Sequence, residues 1–110
     1  MKKIVDILAS KGFLFKDFGN FDKSKIGTKK KIFIYIATDL NLNYHLILDY
    51  VKRSRFIVND FNELIELSNR IIGVVGHNFK FKHIFLRAKL CSKSKKMLEL
   101  SGWKVYNDFV

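Results

Sequence analysis

Proline is absent from this chain of 110 residues, cysteine occurs once, and Asp and Glu together number only ten. Without proline no turn has a pre-set φ, so the loops depend on Gly, Asn and Asp. The single thiol, Cys91, excludes an internal disulfide framework and any zinc site built from several thiolates. It fits a reducing, intracellular compartment, cytoplasmic or nuclear. No stretch approaches the roughly 18 apolar residues of a membrane span. Asp6 and Lys11 also break MKKIVDILASKG before a signal-peptide core forms, so neither a span nor export is expected. Neither GxGxxG nor GxxxxGK(S/T) occurs, which removes the usual phosphate-cradling loops and leaves no cofactor expected.

What is present is positive charge on a chain able to fold. Twenty-one Lys and Arg give a net charge of +11, while 48% hydrophobic residues, eleven Phe among them, are too many for a disordered basic tail. The length suits one domain, residues 1–110, with one core. A surface of one sign draws a polyanion, and Lys and Arg contacts to phosphate supply most non-specific nucleic-acid affinity. RNA or DNA is therefore the leading expected partner. Anionic lipid, or a basic composition with no such partner, are the other readings of the same charge.

Residues 2–11 carry Ile4, Val5, Ile7 and Leu8 at helical spacing, with Gly12 as a stop. Phe13 to Phe15 reads as a short strand running into a turn at Asp17 to Asn20, and the Lys-rich stretch 22–31 as an exposed loop. Ile32 to Thr38 is β-branched and aromatic throughout, which suits a central strand. Tyr44 to Val51 is its hairpin partner across a turn at Asp39 to Asn43, with Lys52, Arg53 and Arg55 at its far end. A capping-box pattern from Asp60 to Glu63 opens a helix reaching about Ile72, after which Gly73 and Gly76 close the segment. A strand from Phe81 to about Leu90 follows, then a helix capped by Ser92 or Ser94 that runs through Leu100, then a last strand from Trp103 to Tyr106. The order α-β-β-β-α-β-α-β predicts a single α/β domain. Its mixed sheet is flanked by helices, with the strand after the first crossover returning parallel.

Metal-dependent nucleases need clustered carboxylates, and Asp39 and Asp49 are the acids near the central hairpin. Lys52 stands three residues beyond Asp49, where the usual Asp, then Glu-x-Lys arrangement places Lys two residues on. No metal ligands are therefore assigned. A Cys–His nucleophilic pair through Cys91 is weaker still, since a lone Cys is most often a small buried hydrophobe. His45, in an apolar strand just after a turn, has a side chain that exchanges a proton near neutrality. The competing reading is a partly buried, hydrogen-bonded imidazole. Tyr35 reads either as a functional phenol or as a core aromatic. Lys80 and Lys82 share one face of their strand, with His83 and Arg87 on the other.

Taken together, these segments resemble the catalytic domain of tRNA-splicing endonucleases, a variant of the restriction-endonuclease-like fold. The resemblance covers about residues 4–90: Lys11-Gly12-Phe13, Phe18-Gly19, the strand with Phe33 and Tyr35, then Tyr44-His45-Leu46-Ile47. The helix carrying Arg70 and Lys82 ahead of Phe85-Leu86-Arg87-Ala88 complete it. It implies Tyr35 as general base on a 2′-hydroxyl, His45 as acid to the leaving 5′-oxygen and Lys82 as charge stabiliser, with Lys80 the alternative for the third role. Cleavage would need no metal and would leave 2′,3′-cyclic phosphate and 5′-hydroxyl ends, so the resemblance implies RNA, tRNA among the candidates, as the partner, with DNA second. The chain departs from the family in its long insertion before Phe33, in Leu46 after the His, in the missing proline turn and in a tail of helix plus strand. A non-catalytic nucleic-acid-binding or assembly subunit tolerates such departures. A metal-dependent DNA nuclease of the same fold, centred on Asp39 and Asp49, is the third reading. The residues expected to hold nucleic acid are Lys52, Arg53, Arg55, Lys80, Lys82, Lys93, Lys95 and Lys96. Phe- and Ile-rich strands at the end of a small sheet also predict a homo- or hetero-oligomer.

Overall fold

Two apolar strands organise the molecule. In the computed structural model, which describes residues 2–27 and 31–107, β2 (Ile32–Asp39) and β3 (Tyr44–Val51) form an antiparallel hairpin. They are flanked by β1 (Phe15–Phe21) on one side and by β4 (Phe81–Arg87) and β5 (Trp103–Tyr106) on the other. The order across the sheet follows the chain, β1 to β5. The first three strands pair antiparallel, and β3, β4 and β5 run parallel. A parallel return needs a crossover, supplied by α2 (Val58–Val75) and then by α3 (Ser92–Leu100). With α1 (Lys2–Ser10) these complete the predicted α/β order, and a radius of gyration of 13.2 Å matches the about 13 Å of one compact domain near this length.

Strand alternation divides the apolar residues between two layers. Ile34, Leu46, Leu48, Tyr50, Ile84, Leu86 and Trp103 point toward α2 and α3, where Leu64, Leu67, Ile71 and Leu98 meet them. The opposite face carries Tyr35, Ala37, Ile47, Phe85 and Tyr106, covered by Ile4 and Leu8 of α1. β3 lies under both layers, and every residue from His45 to Tyr50 is buried. That explains its nearly unbroken apolar run.

Several boundaries differ from the sequence reading. The first strand begins at Phe15 and runs through the expected turn to Phe21, because an irregular register between Phe15 and Asp17 lets Phe18 stack on Tyr35 (ring centroids 5.4 Å). The expected loop contains a 3₁₀ turn, Lys23–Ile26, that buries Ile26, while residues 28–30 lie outside the described residues. Asp60 is not the N-cap of α2. It stands three residues inside, and its carboxylate accepts from the N–H of Ile57 at 2.9 Å. The helix continues through Gly73 to Val75 and ends at Gly76, whose φ of 78° is the left-handed stop glycine favours. β4 stops at Arg87, and Cys91 rather than a serine caps α3.

Candidate nucleic-acid interface

Parallel strands deliver their C-terminal ends, and the N-termini of the helices that follow, to one edge of the sheet, the usual place for a ligand in α/β folds. Here β3 and β4 stay in step beyond their last ladder pair. The Lys52 N–H donates to the Arg87 carbonyl at 3.2 Å, the Phe56 N–H to the Lys89 carbonyl at 2.7 Å, and Phe56 bridges Leu90 in parallel. Asn107, just past β5, ties that strand in by donating to the carbonyls of Leu86 and Ala88, each at 2.9 Å. Lys52, Arg53, Arg55 and Lys89 are therefore gathered along one rim.

α3 starts on the same rim. The Cys91 sulfur accepts from the Ser94 N–H at 3.3 Å; its hydrogen bonds with Ser94 hold the thiol pKa down, and the charge of Arg55 adds to this. Lys93, Lys95 and Lys96 follow, exposed, with no acid in the first turn. Cations near a helix N-terminus oppose the macrodipole, so the arrangement is locally unfavourable until an anion arrives. Among the described residues Arg53, Arg55, Lys89, Lys93, Lys95 and Lys96 form no ion pair with a carboxylate, whereas Lys52 is held by Asp60. Lys95 also lines a cleft of about 420 Å³ with Leu90, Ser92, Val105 and Asn107.

The residues assigned to catalysis are placed differently. Tyr35 and His45 share the α1 face, but Lys82 points to the other. In register with Leu46 and Trp103, its ammonium lies 5.9 Å from the Trp103 ring centroid. Lys80 stands at the N-terminal end of β4, the edge away from the basic rim, its N–H bonded to the Tyr44 carbonyl at 3.0 Å. The structure does not bring Tyr35, His45 and either Lys together. Burial, and then the charge of Asp49, push the Tyr35 phenol above its ordinary range, Arg87 opposing them.

His45 is wholly buried with both ring nitrogens engaged. Its Nε2 lies 2.8 Å from Asp39 Oδ2, its Nδ1 lies 2.9 Å from His83 Nε2, and His83 Nδ1 lies 3.0 Å from the Tyr106 hydroxyl. With both imidazoles neutral, the anion at one end sets the proton order, since a carboxylate only accepts. His45 donates from Nε2 to Asp39, His83 from Nε2 to His45, and Tyr106 from its hydroxyl to His83. The His45 bond, with backbone N–H groups of Asn43 and Asn41 on the same carboxylate, holds Asp39 down to about 2. Burial above all, then the neighbouring His45 and Lys104, press His83 down to about 3, and burial lifts Tyr106 to about 12. Neither imidazole faces solvent. The sequence reading gives Lys89 no mention, and names Phe33, His83 and Tyr106 without a functional role. His83 and Arg87 were recognised as same-face neighbours, but the cross-strand register that joins them to β3 is not written in β4 alone.

The two carboxylates proposed for a metal lie on the α1 face but far apart. Asp49 faces Phe33 across the hairpin, and Asp39 is six residues further along β2, roughly 20 Å at a strand's rise of about 3.3 Å per residue. Both Asp49 oxygens are taken by Arg87, from Nε at 2.9 Å and Nη2 at 3.2 Å, and the next same-face position on β3 is Val51. Among the described residues no group of three or more His, Cys, Asp or Glu could hold a metal ion. The divalent cation that nucleases of this fold imply does not fit these residues.

The sheet order and crossovers define a restriction-endonuclease-like α/β domain. No family model and no curated protein matches the sequence. Among solved structures the chain is similar to a repair endonuclease from Pyrococcus abyssi, with a TM-score of 0.50 and 12% identity over 96% of this chain and 45% of that one. It is also similar to EndoMS in its apo form, with a TM-score of 0.55 and 14% identity over 96% and 44%. The chain thus spans less than half the length of either. Among the described residues no helix is long and apolar enough to cross a membrane.

Proposed function

We propose that this chain is a nucleic-acid-binding domain in which an endonuclease-type fold serves as a platform for the phosphate backbone. The carrying observation is the rim of Arg53, Arg55, Lys89, Lys93, Lys95 and Lys96, which lack carboxylate partners among the described residues and crowd the C-terminal ends of the parallel strands. Like charges so close repel one another, and an array of phosphates relieves that repulsion while releasing its own counterions. Backbone contacts carry no base information and are common to DNA and RNA, so the rim serves either polymer. The repair endonuclease similar in fold makes DNA as strong a candidate as RNA.

Binding fits this geometry better than cleavage. His45 is buried with both ring nitrogens engaged and out of reach of a leaving group, Lys82 lies across the sheet, and Asp49 is consumed by Arg87. The non-catalytic subunit is thus the preferred reading over a metal-free ribonuclease or a metal-dependent DNA nuclease. Fluorescence anisotropy with labelled duplex DNA and structured RNA tests it. The triple variant Arg53→Glu, Arg55→Glu, Lys93→Glu is expected to lose at least about ten-fold in affinity for both. Lys80→Glu, of equal charge change per site but at the far edge, is expected to bind nearly as wild type. Equal losses per charge in both variants would refute a localised rim.

A further inference from the structure

Phe33 lies on an interior strand of the sheet, with β1 on one side and β3 on the other, yet is 52% exposed. The cause is local. α1 covers the face only as far as Tyr35, Ala37, Ile47 and Phe85, and the β1 pairing ends at Phe21 opposite Ile34, one residue short of Phe33. The ring is left on the floor of a cleft of about 420 Å³, with Asn20 and Tyr35 among its lining residues. That volume falls within the roughly 300–1,000 Å³ typical of small-ligand pockets. Across the hairpin from Phe33 stands Asp49, bonded to Arg87, and the Lys31 carbonyl beside it accepts from the Val51 N–H at 3.1 Å. The cleft therefore opens beside the strand ends that carry the basic rim.

We propose that this cleft takes an unpaired nucleobase, stacked on Phe33, from a strand whose phosphates lie on the rim; the inference rests on the binding function proposed above. An aromatic face bare in a concave site beside unpaired cations is the combination that holds single-stranded nucleic acid: the charges track the backbone and the ring takes a base. The occupant is a base rather than an apolar peptide side chain because Asn20, Asp22 and Lys23 set polar groups into an otherwise aromatic and aliphatic lining, which matches the polar edge and flat apolar face of a base. Asn20 offers both an amide donor and an acceptor to a base edge, and the Asp49–Arg87 pair borders the ring. A base inside a duplex is stacked on both sides and cannot reach the floor, so the site separates unpaired from paired nucleotides and adds a preference that the rim lacks.

The test compares affinities at one salt concentration for a fully paired duplex, the same duplex with one bulged base, and a single strand, using wild type, Phe33→Ala and Phe33→Trp. Wild type is expected to favour the bulged and single-stranded forms over the paired duplex by about ten-fold, the scale of one aromatic–base stack. Phe33→Ala should erase that difference while leaving paired-duplex affinity unchanged, and Phe33→Trp should keep it. Because the ring is half exposed, Phe33→Ala should fold, which an unchanged circular dichroism spectrum confirms. A 5-iodouracil at the bulged position should photo-crosslink to the peptide containing Phe33. Salt-sensitive binding with no contrast between forms, or a contrast that survives in Phe33→Ala, overturns the base site and leaves the rim standing. Absence of salt-sensitive binding to any form overturns both. A self-association lost in Phe33→Ala would show the cleft filled by a second copy and also overturns the base site.

Discussion

Asp39 sets the direction of every proton in the Asp39–His45–His83–Tyr106 chain, and the same carboxylate closes the β2–β3 turn by accepting from the N–H groups of Asn41 and Asn43 at 2.8 and 2.9 Å. Replacing it with Ala leaves the buried His45 Nε2–H without its acceptor. Asp39→Ala should therefore lower the midpoint of urea unfolding. The His83 imidazole also makes stability depend on pH. His83 stays neutral in the fold down to about 3, but takes a proton near 6.5 once unfolded. Below about pH 6.5 the unfolded state thus binds more protons, and stability falls as pH falls. Asp39, depressed to about 2 from 3.8, acts in the same sense below about pH 4. Unfolding free energy should decline as pH falls from about 6.5 to about 4, and decline less steeply in His83→Asn; parallel profiles for the two proteins would contradict the buried-neutral assignment. Sequence alone showed His45 as an unusual polar residue in an apolar strand. It could not pair it with His83, because contact between strands 38 residues apart depends on register.

The elements were legible wherever hydrophobic period and turn chemistry agreed. β2, β3, α3 and β5 lie within a residue of where pattern reading puts them, and the two crossovers give the parallel half of the sheet. β1 was shortened because Asp17, Gly19 and Asn20 read as a turn, whereas Phe18 stacking on Tyr35 and pairing to β2 hold them extended. Pattern reading starts α2 late because Asp60 has the character of an N-cap, whereas it stands inside the helix and bonds back to the Ile57 N–H. The β2–β3 turn contains a strain that no pattern shows: Leu42 is in left-handed backbone at φ 65° and its side chain is 64% exposed. Such a conformation costs an ordinary residue roughly 1–2 kcal/mol. With little packing to lose, Leu42→Gly should raise the melting temperature, as Leu42→Val should lower it. A lower melting temperature for the glycine variant would show that Leu42 makes contacts worth more than the strain.

Across the molecule, cations reach both edges of the sheet. The C-terminal edge of β3 and β4 gathers the rim cations, the opposite edge holds Lys80, and the exposed Leu40 and Leu42 lie at the hairpin turn. Composition alone points to a polyanion partner, and Lys52, Arg53, Arg55 and Lys93 to Lys96 lie where β3 ends and α3 begins. Lys80 does not join them, because it stands just before β4 begins. The catalytic trio failed to assemble for a reason of the same kind: chain order put Lys82 near Tyr35 and His45, and strand alternation turned it to the opposite face. The measurement that bears most directly on the rim is the affinity of the wild-type protein for duplex DNA and for RNA across a series of salt concentrations. Each phosphate contacted contributes a slope of about −0.9 to log K against log salt on B-DNA, so a rim engaging three to five phosphates should give about −3 to −4.5. A slope near zero, or no binding at low salt, would contradict the account.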